Sequence, residues 1–89
     1  MGKKIYEFIY VDMQCMCIQT NLFSCRKSME DDIAETRLEY SEYFEEIECK
    51  EVFSNEYRHT WQWICKGNGK VMKTILCEAK ETCVLDEEN

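Results

Sequence analysis

Ten carboxylates fall between Glu30 and Glu51 (Glu30, Asp31, Asp32, Glu35, Glu39, Glu42, Glu45, Glu46, Glu48 and Glu51), against two cations, Arg37 and Lys50. Exposed carboxylates at this density attract a basic surface. Acid–base catalysis needs a carboxylate whose pKa is raised by burial, and an exposed run supplies no such surroundings. The other reactive side chains are seven cysteines (Cys15, Cys17, Cys25, Cys49, Cys65, Cys77 and Cys83) and one histidine, His59. On a strand, Cys15 and Cys17 would point to one face, so together with Cys25 and His59 they form an alternative metal-ligand set. The chain lacks the paired Cys-x-x-Cys-like knuckles of structural zinc sites, and no nucleophile signature surrounds any cysteine. Gly67-Asn68-Gly69-Lys70 is too short for a phosphate loop and lacks the strand-to-helix setting. The expectation is a non-enzymatic protein without a cofactor, with a cysteine-dependent metal or redox module as the alternative.

At 89 residues there is room for one domain with one modest core, and 45% apolar and 12% aromatic residues are enough to build it. A net charge of -7 and a pI near 4.7 argue against nucleic acid or an anionic membrane as a direct ligand, because both would be repelled. The same charge suits a basic partner that itself binds nucleic acid. Met1-Gly2-Lys3-Lys4 leads into a short, interrupted apolar stretch with no cleavage site, and no apolar run is long enough to span a membrane. Tyr6 occupies the position where myristoylation requires Ser or Thr. The expected location is cytoplasmic, where an odd number of cysteines reads as reduced thiols serving as small buried hydrophobes.

The elements that must position these groups follow from periodicity. Lys3 to Val11 alternates with both sets apolar, which suits a strand covered on both faces. Asp12-Met13-Gln14 is the expected turn into a second strand, Cys15 to Ser24. Ser28 is the expected helix N-cap, with Asp31 in a variant capping box and Glu30 to Asp32 complementing the positive helix end. Met29, Ile33, Tyr40, Phe44 and Ile47 fall on one stripe at 100° per residue, predicting a helix from about Ser28 to Glu46. Ile47 to Phe53 returns to alternation. Tyr57 to Lys66 and Lys70 to Ala79 form the clearest hairpin, joined by Gly67-Asn68-Gly69. The fold class is α+β: an antiparallel sheet of four to five strands in the order ββαβββ, with one amphipathic acidic helix on one face. A single domain covers residues 1–85, and an acidic tail, 86–89, frays.

On the predicted helix Asp31, Asp32, Glu35, Glu39, Glu42 and Glu46 lie opposite the apolar stripe, with Glu45 beside them. They recur at spacings of three and four, which places neighbours about 5–6 Å apart. Solvated helix faces usually mix signs, yet no cation interrupts this ridge. Such a ridge can imitate a phosphate backbone and occupy a basic groove. In size, acidity and single-domain build the chain resembles the small inhibitors of phages and mobile elements, including anti-CRISPR proteins. The resemblance is one of overall style across the whole chain. It implies an inhibitor of a nucleic-acid-handling protein and carries over no residues. Tyr57, Trp61 and Trp63 share a strand face. They are expected either in the core or, if that face is uncovered, as a second interface that could join two copies.

Overall fold

Strand β1 (Gly2–Asp12) turns into β2 (Cys17–Phe23), helix α1 (Arg26–Ser41) follows, and β3 (Glu46–Ser54), β4 (Arg58–Gly67) and β5 (Lys70–Leu85) complete the chain. The computed structural model describes residues 2–85, so the expected frayed tail lies outside the described residues. All five strands join one antiparallel sheet in the order β2-β1-β5-β4-β3, which is the α+β architecture that the patterning predicts. The helix links the two edge strands. Edges of a five-stranded sheet stand about 19 Å apart, and a 16-residue helix is about 24 Å long. The length of α1 therefore matches an oblique crossing of the whole sheet. Among the described residues no helix is long and apolar enough to cross a membrane.

The β4–β5 turn forms as expected. Asn68 (φ 55°) and Gly69 (φ 72°) both take the left-handed conformation that twists a two-residue hairpin in the right sense. Around it β4 alternates strictly. Trp61, Trp63 and Cys65 point under the helix with Phe8 of β1 and Ile75, Cys77 and Ala79 of β5, and Met29 of α1 closes the core. Phe8 lies parallel to Trp61 at 6.2 Å between ring centroids. Trp63 sits 6.1–6.3 Å from Trp61, Tyr40 and Phe8. Trp61 is 4% exposed and Trp63 2%. This corrects the second-interface reading of Tyr57, Trp61 and Trp63: the tryptophans are core, and only Tyr57 is exposed.

Other expectations change too. β1 is covered on one face only. Tyr6, Phe8 and Tyr10 pack on the helix side, while Ile9 and Val11 lie on the opposite, uncovered face, where Val11 is flanked by Ile18 and Leu76. That face is interleaved with the ion pairs Glu7–Lys80 and Arg58–Glu78, as befits a solvated face of an antiparallel sheet. The cysteines divide as well. Cys65 and Cys77 are buried, whereas Cys15, Cys17, Cys25, Cys49 and Cys83 are exposed.

The helix begins and ends earlier than its apolar stripe implies. Cys25, not Ser28, takes the N-cap position, and Ser28 reaches back to it with Oγ 3.2 Å from the thiol sulfur. At the other end Ser41 Oγ donates to the Leu38 carbonyl at 2.6 Å, and the Glu42 and Tyr43 amides make tightened bonds to Glu39 and Tyr40. The stripe continues because the chain beyond α1 must also return apolar groups to the core: Phe44 does so from the connector and Ile47 from β3. The one buried polar residue of the helix, Thr36, donates to the Asp32 carbonyl at 2.8 Å.

Candidate functional site

Shifting the helix changes what its charges do. The first turn holds Arg26 and Lys27 and no acid, so Glu30 to Asp32 do not complement the positive end as expected. The last turn holds no base, and Glu39 and Glu42 stand at the negative end. Both ends thus run against the helix dipole, each unfavourable charge costing about 0.3–1 kcal/mol at low salt. At the first turn the cations find partners elsewhere. Arg26 pairs with Glu81 at 2.7 Å and lies over the Tyr6 ring, and Lys27 pairs with Asp31 at 3.3 Å. Among the described residues no cation reaches Glu35, Glu39 or Glu42, and all three are exposed.

The expected ridge divides in the structure. Glu35, Glu39 and Glu42 remain on one exposed helical flank, with Asp31 one turn before them. Asp32, half-buried, accepts from Asn21 Nδ2 of β2 at 3.3 Å. Glu45 and Glu46 have left the helix. Glu45 sits in the connector, where its carboxylate accepts from the Asn68 amide at 2.7 Å and pins the β4–β5 turn. Glu46 opens β3 opposite Lys66. The acidic flank faces the β1–β2 side of the sheet. Burial first, and then the Asp32 and Glu39 charges, raise the Tyr10 phenol above its ordinary pKa. Tyr40, which reaches from α1 to Trp63, is pushed up to about 12 chiefly by burial.

The other flank of α1 carries the arginines, so the helix is electrically two-sided. Arg37 Nη2 donates to the Ile47 carbonyl of β3 at 3.3 Å and has no carboxylate partner among the described residues. Beside it runs a groove of about 350 Å³ based on Trp61 and Ala79 and walled by Ile33, Arg37, Cys49 and Tyr57. Its residues come from α1, β3, β4 and β5, so spacing along the chain could not reveal it. The one legible sign was Arg37 itself, a rare cation inside the acidic run.

The structure does not assemble the alternative metal set. Cys15 sits in the β1–β2 turn and Cys17 opens β2, whereas Cys25 lies beyond the far end of that seven-residue strand, a separation of about 20 Å or more. His59 Nε2 lies 2.8 Å from Glu51 Oε1 and its ring packs at a tilt against Trp61, so it is engaged away from all three. Among the described residues no group of three or more His, Cys, Asp or Glu is placed to hold a metal. The Cys25 thiol is held below its ordinary pKa first by the Ser28 hydroxyl and then by the Ser28 amide at the helix start.

The β1–β2 turn is anchored by a partly buried ion pair, Asp12 Oδ2 to Lys73 Nζ at 2.7 Å. The Lys73 hydrogen bond holds the Asp12 carboxyl below the usual carboxylate range, and Asp12 in turn raises Lys73. A depressed carboxyl contributes stability above its unfolded pKa and loses it as pH falls through the folded value. Asp12→Asn should therefore lower stability at neutral pH by about 1 kcal/mol. In urea titrations the difference from the parent should shrink as pH falls below the ordinary carboxylate range and the native Asp12 carboxyl takes up its proton.

No protein-family model, no curated protein and no solved structure matches this chain.

Proposed function

We propose that this is a non-enzymatic binding protein that inhibits a basic, nucleic-acid-handling partner by presenting the Asp31, Glu35, Glu39 and Glu42 flank of α1 to it. In type it would stand with the anti-CRISPR proteins. The observation that carries the reading is that, among the described residues, no cation pairs with Glu35, Glu39 or Glu42, in a structure that pairs seven of its eleven lysines and arginines. The helix dipole gives Glu39 and Glu42 no stabilising role, so their local fold contribution is unfavourable. A basic groove would turn that arrangement to advantage: carboxylates at successive turns meet Lys and Arg side chains placed for phosphates, and steering speeds the encounter.

The test is competition. Basic proteins captured from a nuclease-treated lysate on the immobilised chain at low salt should be released by added duplex DNA or RNA. They should also be released by moderate salt, because the contact is screened over a Debye length of about 8–10 Å. A partner that stays bound while it takes up nucleic acid would refute the mimicry, since the two ligands would then occupy different sites.

A further inference from the structure

Away from the helix, the β1–β2 turn brings two reactive groups into contact. Cys15 Sγ and Cys17 Sγ lie 2.7 Å apart, and both residues are exposed. This is well inside the ordinary non-bonded separation of two sulfurs. The turn sets it up: Met16, between them, holds the left-handed conformation (φ 59°), which folds the flanking side chains together. Residues two apart across such a turn have Cα atoms about 5.5–6.5 Å apart, within the span of a disulfide.

The turn is held from several sides. The Met16 amide donates to the Asp12 carbonyl at 2.7 Å, the Gln14 amide to Asp12 Oδ1 at 2.9 Å, and the Met13 amide to the Thr74 carbonyl of the adjoining strand at 3.0 Å. Lys73, paired with Asp12, is near enough to interact electrostatically with both cysteines. Elsewhere the cysteines lack this arrangement. Cys65 and Cys77 are buried, and burial pushes both thiols up. Cys25, Cys49 and Cys83 are exposed, yet among the described residues none has a second cysteine in hydrogen-bonding contact.

We propose that Cys15 and Cys17 form a redox-active dithiol that closes reversibly to an intramolecular disulfide by exchange with a small organic disulfide such as oxidised glutathione. The Cys15 thiolate attacks one sulfur of the oxidant, forms a mixed disulfide and expels one glutathione thiolate. Cys17 then loses its proton to solvent, its thiolate attacks Cys15 Sγ, and the second glutathione thiolate leaves. Two protein thiols give up two electrons and two protons, and one glutathione disulfide becomes two thiols. The order follows from the pair itself: the Cys15 sulfur raises the pKa of Cys17, so the second proton leaves after the first charge has been discharged. Nearby Lys73 opposes that rise at Cys17. Exposure leaves the bridge open to reduction by the same route in reverse.

The test is to expose the folded full chain to oxidised glutathione at neutral pH, followed by intact mass and peptide mapping. The expected product has lost two hydrogens, retains no glutathione at Cys15 or Cys17, and carries the bridge between them. Cys17→Ser should instead trap glutathione on Cys15, at roughly tenfold or more the level seen at that site in the parent, because the neighbouring thiol that would expel it is gone. Cys15→Ser should trap it on Cys17. A parent protein that keeps glutathione at either position would overturn the proposal. So would a bridge from Cys15 or Cys17 to a different cysteine, or two thiols that stay reduced while Cys25, Cys49 and Cys83 react.

Discussion

Reversing Glu35, Glu39 and Glu42 together to lysine should weaken partner binding by roughly a hundredfold or more and leave the fold as stable as before, or more stable. The binding side follows from replacing three attractive contacts with repulsive ones at a surface where close charge pairs couple by about 1.5–7 kcal/mol. The stability side follows from position. Glu39 and Glu42 lie at the carbonyl end of α1, where the last turn holds no base, so a cation there gains about 0.3–1 kcal/mol where an anion loses it. Glu35→Lys also creates a favourable i,i+4 partner for Asp31. Each reversal removes two units of negative charge from a chain of net -7, which relieves self-repulsion. Titration against the captured partner, run alongside urea unfolding, reads both effects. Unchanged affinity with the fold intact would sink the acidic-flank reading. A loss of more than about 1 kcal/mol of stability would mean that the carboxylates serve the fold after all.

How much of this was visible in the chain depended on whether a signal was local. The Asn68-Gly69 turn, the strict alternation of β4 and the helical stripe are written in neighbouring residues, and the strand order ββαβββ follows from them. The helix ends were misplaced for a physical reason. Phe44 and Ile47 satisfy the helical period, but they reach the core from a connector and a strand, and periodicity does not distinguish routes to the same core. The N-cap was misplaced because Ser28 is a favoured capping residue while cysteine is not. Here Cys25 holds the cap position and Ser28 contacts it from the first turn. Whether the face bearing Trp61 and Trp63 was covered depended on where α1 crosses the sheet, a long-range fact. The site was legible in part: the acids were plain, but Glu45 and Asp32 proved to be held by Asn68 and Asn21 across the structure, and the Arg37 groove was invisible until four elements came together.

Trp63→Ala should be the most damaging single change in the chain. Trp63 is 2% exposed at the centre of β4, with Phe8 and Trp61 beside it in the sheet and Tyr40 above it on the helix. Removing an indole there forfeits its burial and leaves a void that four elements would have to close together, a loss of about 3–5 kcal/mol. For a domain of this size total stability is about 5–15 kcal/mol, and each lost kilocalorie lowers the melting temperature by about 4–8 °C. The variant should therefore melt about 12–40 °C lower or fail to fold at working temperature. Tyr57→Ala supplies the contrast. Tyr57 is 59% exposed at the groove rim, so its removal should change stability by less than about 0.5 kcal/mol. Thermal melts of the pair separate two arrangements of the same aromatic strand. Equal, small effects would mean that the helix does not cover this face and that the tryptophans are available to a partner. A large loss at Trp63 beside a negligible one at Tyr57 is what a helix-covered core requires.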